Sequence, residues 1–214
     1  MSDFDETIFD TIYSLFGDSA QSIPNKNTYE YFSQKKNREY WLDSEISEEN
    51  STLDLVKSII EWNREDRGIP VEERKPIIIY IYSIGGDLDI CRSIIDAIST
   101  STTPVYGVNI GKSFSAGAYI FIACHKRFML NSASFIFHQG SASYYDVPKD
   151  EKDILDKDYN KKIADLTQLM INKTKFPEKL IKRKIKTEWY VYADEALEFG
   201  VCDKIIENID EIFV

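Results

Sequence analysis

The segment Gly111-Lys112-Ser113-Phe114-Ser115-Ala116-Gly117-Ala118 sets two serines before a run of small residues. Val105 to Ile110 ahead of it reads as a buried strand, and Ser115 to Cys124 behind it has the length of a helix. A serine at that junction has its hydroxyl near the positive end of the helix dipole, beside N–H groups that lack an intrahelical acceptor. Nucleophilic catalysis by serine uses such a place: a hydroxyl on a tight turn, with main-chain donors for the oxyanion. Ala116, Gly117 and Ala118 lack bulk, so a substrate backbone could come close, although small residues at such a turn are more often simple packing. Gly111 to Ser115 also nearly matches the G-x-S-x-G elbow, which would make Ser113 the nucleophile, but position 115 is Ser rather than Gly. Gly107 to Ser113 approaches a phosphate loop but has three intervening residues where four are needed, and those three read as strand.

His138 closes the apolar run Ser134 to Phe137 and precedes Gln139-Gly140, a position at a strand end facing a cleft. The only other histidine, His125, lies at a helix end beside Lys126-Arg127, where a cation complements the dipole. A lone histidine is more often a hydrogen-bonded core residue, and of the two His138 is the one that suits a general base. Ser83-Ile84-Gly85-Gly86-Asp87 follows the first apolar strand, and its paired glycines permit a sharp turn and close backbone approach. That suits an oxyanion donor, a substrate strand or a plain strand-to-helix turn.

The elements that must position these groups alternate between strand and helix. Pro76 to Tyr82 is apolar on both faces and β-branched, the pattern of a parallel strand covered on both sides. Helical spacing follows over 88–98, short strands over 128–130 and 134–137, and a long amphipathic helix over 151–173. Its apolar stripe is Ile154, Leu155, Ile163, Leu166, Leu169 and Met170. Shorter helices are expected from Pro177 to Lys184 and over 193–199, with a returning strand over 201–206. Leu53, Leu55, Val56, Ile59 and Ile60 mark a further helix over 51–62. Alternation of this kind predicts an α/β fold. Residues 1–38 stand apart from the domain at 39–214. Phe4, Ile8, Ile12, Leu15 and Phe16 recur at helical spacing, and 19–38 is polar enough to read as a poorly ordered linker.

Length and composition narrow the function classes. A chain of 214 residues with 43% hydrophobic and 13% aromatic side chains suits one domain with a real core. A net charge of −10 makes it a poor binder of nucleic-acid phosphates and of anionic membranes. No apolar run approaches a membrane span. The start, Met1 to Glu6, is acidic where a secretory signal is basic, so a cytoplasmic location is expected. Three separated cysteines in apolar stretches read as reduced core residues, and two histidines without a CxxC give a zinc site almost no support.

Taken together, Gly85-Gly86, then Ser115, then Phe137-His138-Gln139, then Ala193 to Ile205 resemble the caseinolytic protease ClpP family, the serine peptidase core of ATP-dependent Clp proteases. The resemblance runs from about Arg38 to Ile206. It implies a crotonase-like spiral of ββα units, with the helix near 151–173 as a handle. It further implies Ser115 as nucleophile, His138 as base, and the N–H groups of Gly86 and Ala116 as the oxyanion hole. Glu188 stands where the family has its catalytic Asp, and Thr187 where the family has Arg. Other departures are Ile84 in place of a proline and Gly140 where a proline follows His-Gln. The chain is thus identified as a divergent member, needing no cofactor or metal of its own. It is expected to act on polypeptide, to form a homo-oligomeric ring (heptamer or tetradecamer) and to work with an AAA+ ATPase unfoldase. Two alternatives are a catalytically impaired structural subunit of a ring and a crotonase-type acyl-CoA enzyme.

Overall fold

The computed structural model describes residues 26–140 and 147–213. The chain divides between Glu39 and Tyr40 into two units, which are described separately. In the first, residues Lys26–Asn37 form a helix, α1, where a linker was expected. No Gly or Pro interrupts this stretch, Lys35 and Lys36 complement the dipole in its last turn, and the Lys35 ammonium lies 5.9 Å from the Tyr31 ring centre one turn back. Arg38, at φ 58°, ends it. The helix expected over Phe4 to Phe16 lies outside the described residues.

The second unit is α/β. Its elements are β1 (Glu39–Leu42, whose first residue closes the first unit), α2 (Asp54–Glu65), β2 (Ile77–Ser83), α3 (Leu88–Thr100), β3 (Val105–Phe114), α4 (Ala116–Ala123), β4 (Lys126–Met129) and β5 (Ser134–Phe137). After these come α5 (Lys149–Lys173), α6 (Glu178–Lys184), β6 (Trp189–Tyr192), α7 (Ala193–Glu198) and β7 (Lys204–Ile205). The strand expected over 201–206 is confined to those last two residues, because Val201 and Cys202 bond back to the Ala196 carbonyl as the cap of α7. The sheet runs β1-β2-β3-β4-β7, with β5 also paired to β3 and β6 added antiparallel to β5.

Both faces of β2 are covered. Ile77, Ile79 and Ile81 join the main core with α2, α3 and α4, while Ile78 and Tyr80 join a second cluster with Tyr106, Val108, Phe128, Ile206 and Ile212. Burial on two sides explains the unbroken apolar run. All eight residues of α4 are buried, so this helix is apolar all round instead of amphipathic.

β3 is longer than its sequence suggests, and its length positions the site. Residues 106–109 pair with β4, whereas 112–114 pair with β5 on the same side. Between these halves the register with β2 jumps from Ile81↔Asn109 to Ser83↔Ser113. The buried Asn109 amide holds this bulge, accepting from the Gly111 N–H at 3.1 Å and donating to the Ser134 carbonyl at 3.0 Å. Asp87 caps α3, its carboxylate accepting from the N–H groups of Asp89 and Ile90. Salt bridges Lys162–Asp89 and Arg92–Asp165 tie α3 to α5. Ile163, Leu166, Thr167 and Met170 are buried in the C-terminal half of α5, but Ile154 in its N-terminal half is 65% exposed, so the stripe expected along the helix packs over half its length. Among the described residues no helix is long and apolar enough to cross a membrane.

Candidate active site

Ser115 follows the last residue of β3 and caps α4. Its backbone is held at φ 52° and ψ −122°, a conformation L-residues avoid. Strain of that kind persists where surroundings fix it, and here the Ser115 N–H donates to the Ile136 carbonyl of β5 at 2.7 Å. The same β3–β5 pairing carries His138 alongside. Ser115 Oγ and His138 Nε2 lie 2.7 Å apart, within hydrogen-bond reach of a hydroxyl and a base. Both side chains are half-buried. Ser113, the other serine of the motif, lies within β3; it is fully buried, and its hydroxyl has no hydrogen-bond partner among the described residues.

Gly85 and Gly86 close on this pair from β2. Gly85 has φ 97°, and a Cβ there would stand 2.7 Å from both the Phe114 carbonyl oxygen and Ser115 Cβ. Only glycine lets the two loops approach so closely. Gly86, at φ 146°, lies against Ile46 with which it forms an isolated parallel bridge. The N–H groups of Gly86 and Ala116 have no acceptor among the described residues. The Ala116 group belongs to the first turn of α4, where the helix leaves donors free.

Beyond His138, the Gln139 N–H donates to the Ile185 carbonyl at 2.7 Å, and the Tyr159 hydroxyl of α5 donates to the Gln139 carbonyl at 2.6 Å. A groove of about 330 Å³ opens beside Gln139, with Ile163, Ala164, Thr167 and Ile171 of α5 on one wall and Ile185 on the other. Glu188 directly precedes β6; its side chain is exposed, and no hydrogen bond or ion pair joins it to His138. His125 lies outside this group: its Nδ1 accepts the Val105 N–H at 2.9 Å, and burial together with the nearby Lys173 charge lowers its pKa. Three buried groups went unsuggested by the sequence: the Ser83 hydroxyl, the Ile46 main chain and Asn109. None carries a local signal, because each acts through contacts between distant segments.

The arrangement can take a proton from Ser115 and present donors to an oxyanion beside it. Residues 69–209 match the Clp protease family. The ATP-dependent Clp protease proteolytic subunit 2 of Treponema pallidum (strain Nichols) is 29% identical over 173 residues, covering 80% of this chain and 83% of that protein. Its counterpart in Treponema denticola is 31% identical over 140 residues, covering 64% and 70%. Among solved structures, a ClpP1 mutant from Listeria monocytogenes superposes with a TM-score of 0.71 at 24% identity, over 85% of this chain and 98% of that one. The match to the family spans well over half of the sequence, and this chain belongs to the Clp protease family.

Proposed function

We propose that the protein is a serine endopeptidase subunit that hydrolyses peptide bonds of unfolded polypeptide. The observation that carries this is the 2.7 Å contact between Ser115 Oγ and His138 Nε2 on a strained residue at a helix N-terminus. His138 accepts the Ser115 proton as Oγ attacks the peptide carbonyl, and the N–H groups of Gly86 and Ala116 receive the oxyanion. The imidazolium then gives its proton to the leaving amine, and water, activated by the same base, releases the acyl group from Ser115. Glu188 serves as the orienting carboxylate. What supports it is register: Phe137↔Trp189 is the last pair of β5 and β6, and one further step sets His138 opposite Glu188. The groove beside Gln139 takes a substrate side chain. Its walls combine Ile163, Ala164, Ile171 and Ile185 with Asn160, Gln168 and Lys182, which suits a side chain with an apolar body and a polar end.

Identical subunits assemble as a ring, one heptamer or two stacked as a tetradecamer, fed by an AAA+ unfoldase. Family membership supports this, as does the N-terminal half of α5, a stretch of helix with no side chain buried within the subunit. One observation favours a second reading, a subunit that fills a ring without chemistry: no hydrogen bond or ion pair joins Glu188 to His138. A crotonase-type acyl-CoA enzyme would leave the Ser115–His138 pair unexplained. Labelling with a fluorophosphonate probe separates these possibilities, since only an activated serine reacts. The peptidase reading expects the parent protein to be labelled and Ser115→Ala and His138→Ala to be blank; an unlabelled parent would overturn it in favour of a reading without an activated serine.

A further inference from the structure

The donor expected from Gly86 needs a direction as well as a place, and the structure shows what gives it one. The Gly85 carbonyl accepts the Ile46 N–H at 2.8 Å, and the Ile46 carbonyl accepts the Asp87 N–H at 2.8 Å. The Gly85–Gly86 peptide is trans, so its N–H points opposite to its carbonyl. With that carbonyl held on Ile46, the Gly86 N–H is turned away from the Ile46 strand segment. Gly85 itself is packed against Ser115 and Ala116. The peptide plane is therefore set by the segment around Ile46, and one buried side chain joins that segment to the loop. Ser83 Oγ donates to the Ser44 carbonyl at 2.5 Å and accepts the Gly85 N–H at 3.2 Å, with the residue 1% exposed.

We propose that Ser83 is a positioning residue of the reaction: its hydroxyl links the Ser44–Ile46 segment to Gly85 and thereby aims the Gly86 N–H at the oxyanion. The proposal rests on the peptidase reading above. A misaimed donor weakens only the interaction formed as charge develops, so the effect belongs in kcat and not in KM.

The test measures kcat and KM on a small peptide ester for the parent, Ser83→Ala and Ser83→Thr, with melting temperature alongside. Removing an oxyanion donor outright costs about 10²–10³ in kcat, so misaiming one should cost about 10- to 100-fold in Ser83→Ala, with KM held within about twofold. Ser83→Thr keeps the hydroxyl and should recover most of kcat. If Ser83→Ala does not fold, Ser83→Cys, which keeps the volume and weakens the hydrogen bond, carries the same expectation. Unchanged kcat in the Ala or Cys variant, with or without a fall in melting temperature, would reduce Ser83 to a structural residue and overturn the proposal; so would a Thr variant as slow as Ala. An inactive, unlabelled parent would instead sink the peptidase reading and this role with it.

Discussion

Ser83 and Ser113 face each other across the β2–β3 register, and their hydroxyls have opposite fates. One bonds to two main-chain groups; the other is buried with no partner among the described residues. A buried hydroxyl without a partner costs about 1–3 kcal/mol. Ser113→Ala should therefore stabilise the protein by roughly 1 kcal/mol and leave hydrolysis within about twofold, as measured by urea unfolding and an ester assay. A destabilised variant would mean that the Ser113 hydroxyl has an acceptor after all.

Gly85→Ala should do the reverse. A Cβ would press on the Phe114 carbonyl and on Ser115, at a positive φ that alanine resists. If Ser115 is the nucleophile, displacing its turn by an ångström is enough to cost on the order of 10²-fold in rate. Rate and unfolding free energy should fall together. Full activity in this variant would show that the close approach of the two loops is incidental.

Glu188→Gln should keep fold and assembly while lowering kcat by about 10³–10⁴-fold if the carboxylate orients His138 as in other triads. Glu188→Asp should retain part of the activity. A Gln variant that hydrolyses the ester at the parent rate would make Glu188 an exposed surface charge and the chemistry that of a Ser–His pair.

His125 gives a pH dependence with a definite sign. Burial and Lys173 hold its pKa below the ordinary histidine value, and its Nδ1 must stay unprotonated to accept the Val105 N–H. Below about pH 6.5 the unfolded chain takes up this proton before the folded one does. The stabilisation is complete above that pH and is lost as pH falls toward the lowered value. Melting temperature between pH 7.5 and 5.5 should thus drop more in the parent than in His125→Asn. Parallel curves would remove His125 from the account.

The parts legible in the sequence were those whose signal is local. The two-sided apolar run of β2, the small residues opening α4, and His138 closing a short strand all announce themselves in their own segment. The full length of β3 did not, because Gly111 and Lys112 look like a turn, and only the Asn109 bulge makes them strand. Trp189–Tyr192 is too short a strand to show alternation convincingly, although its Trp189 and Val191 do face the core. The polar residues of α1 concealed a helix stabilised by charge at its end more than by an apolar stripe. Ile46 was invisible as a site element, since its role belongs to its main chain and not to its side chain.

The burial of every residue in α4 bears on how the protein loses activity under stress. A helix with no solvent face cannot open without parting the layers on both sides of it, so its amides should be among the slowest to exchange with deuterium. Ser115 is joined to the first turn of that helix. The Ser115 hydroxyl is thereby anchored to a segment that should open only with the whole fold, and any reactivity toward a serine probe should disappear in step with global unfolding as denaturant rises, without an earlier phase of local inactivation.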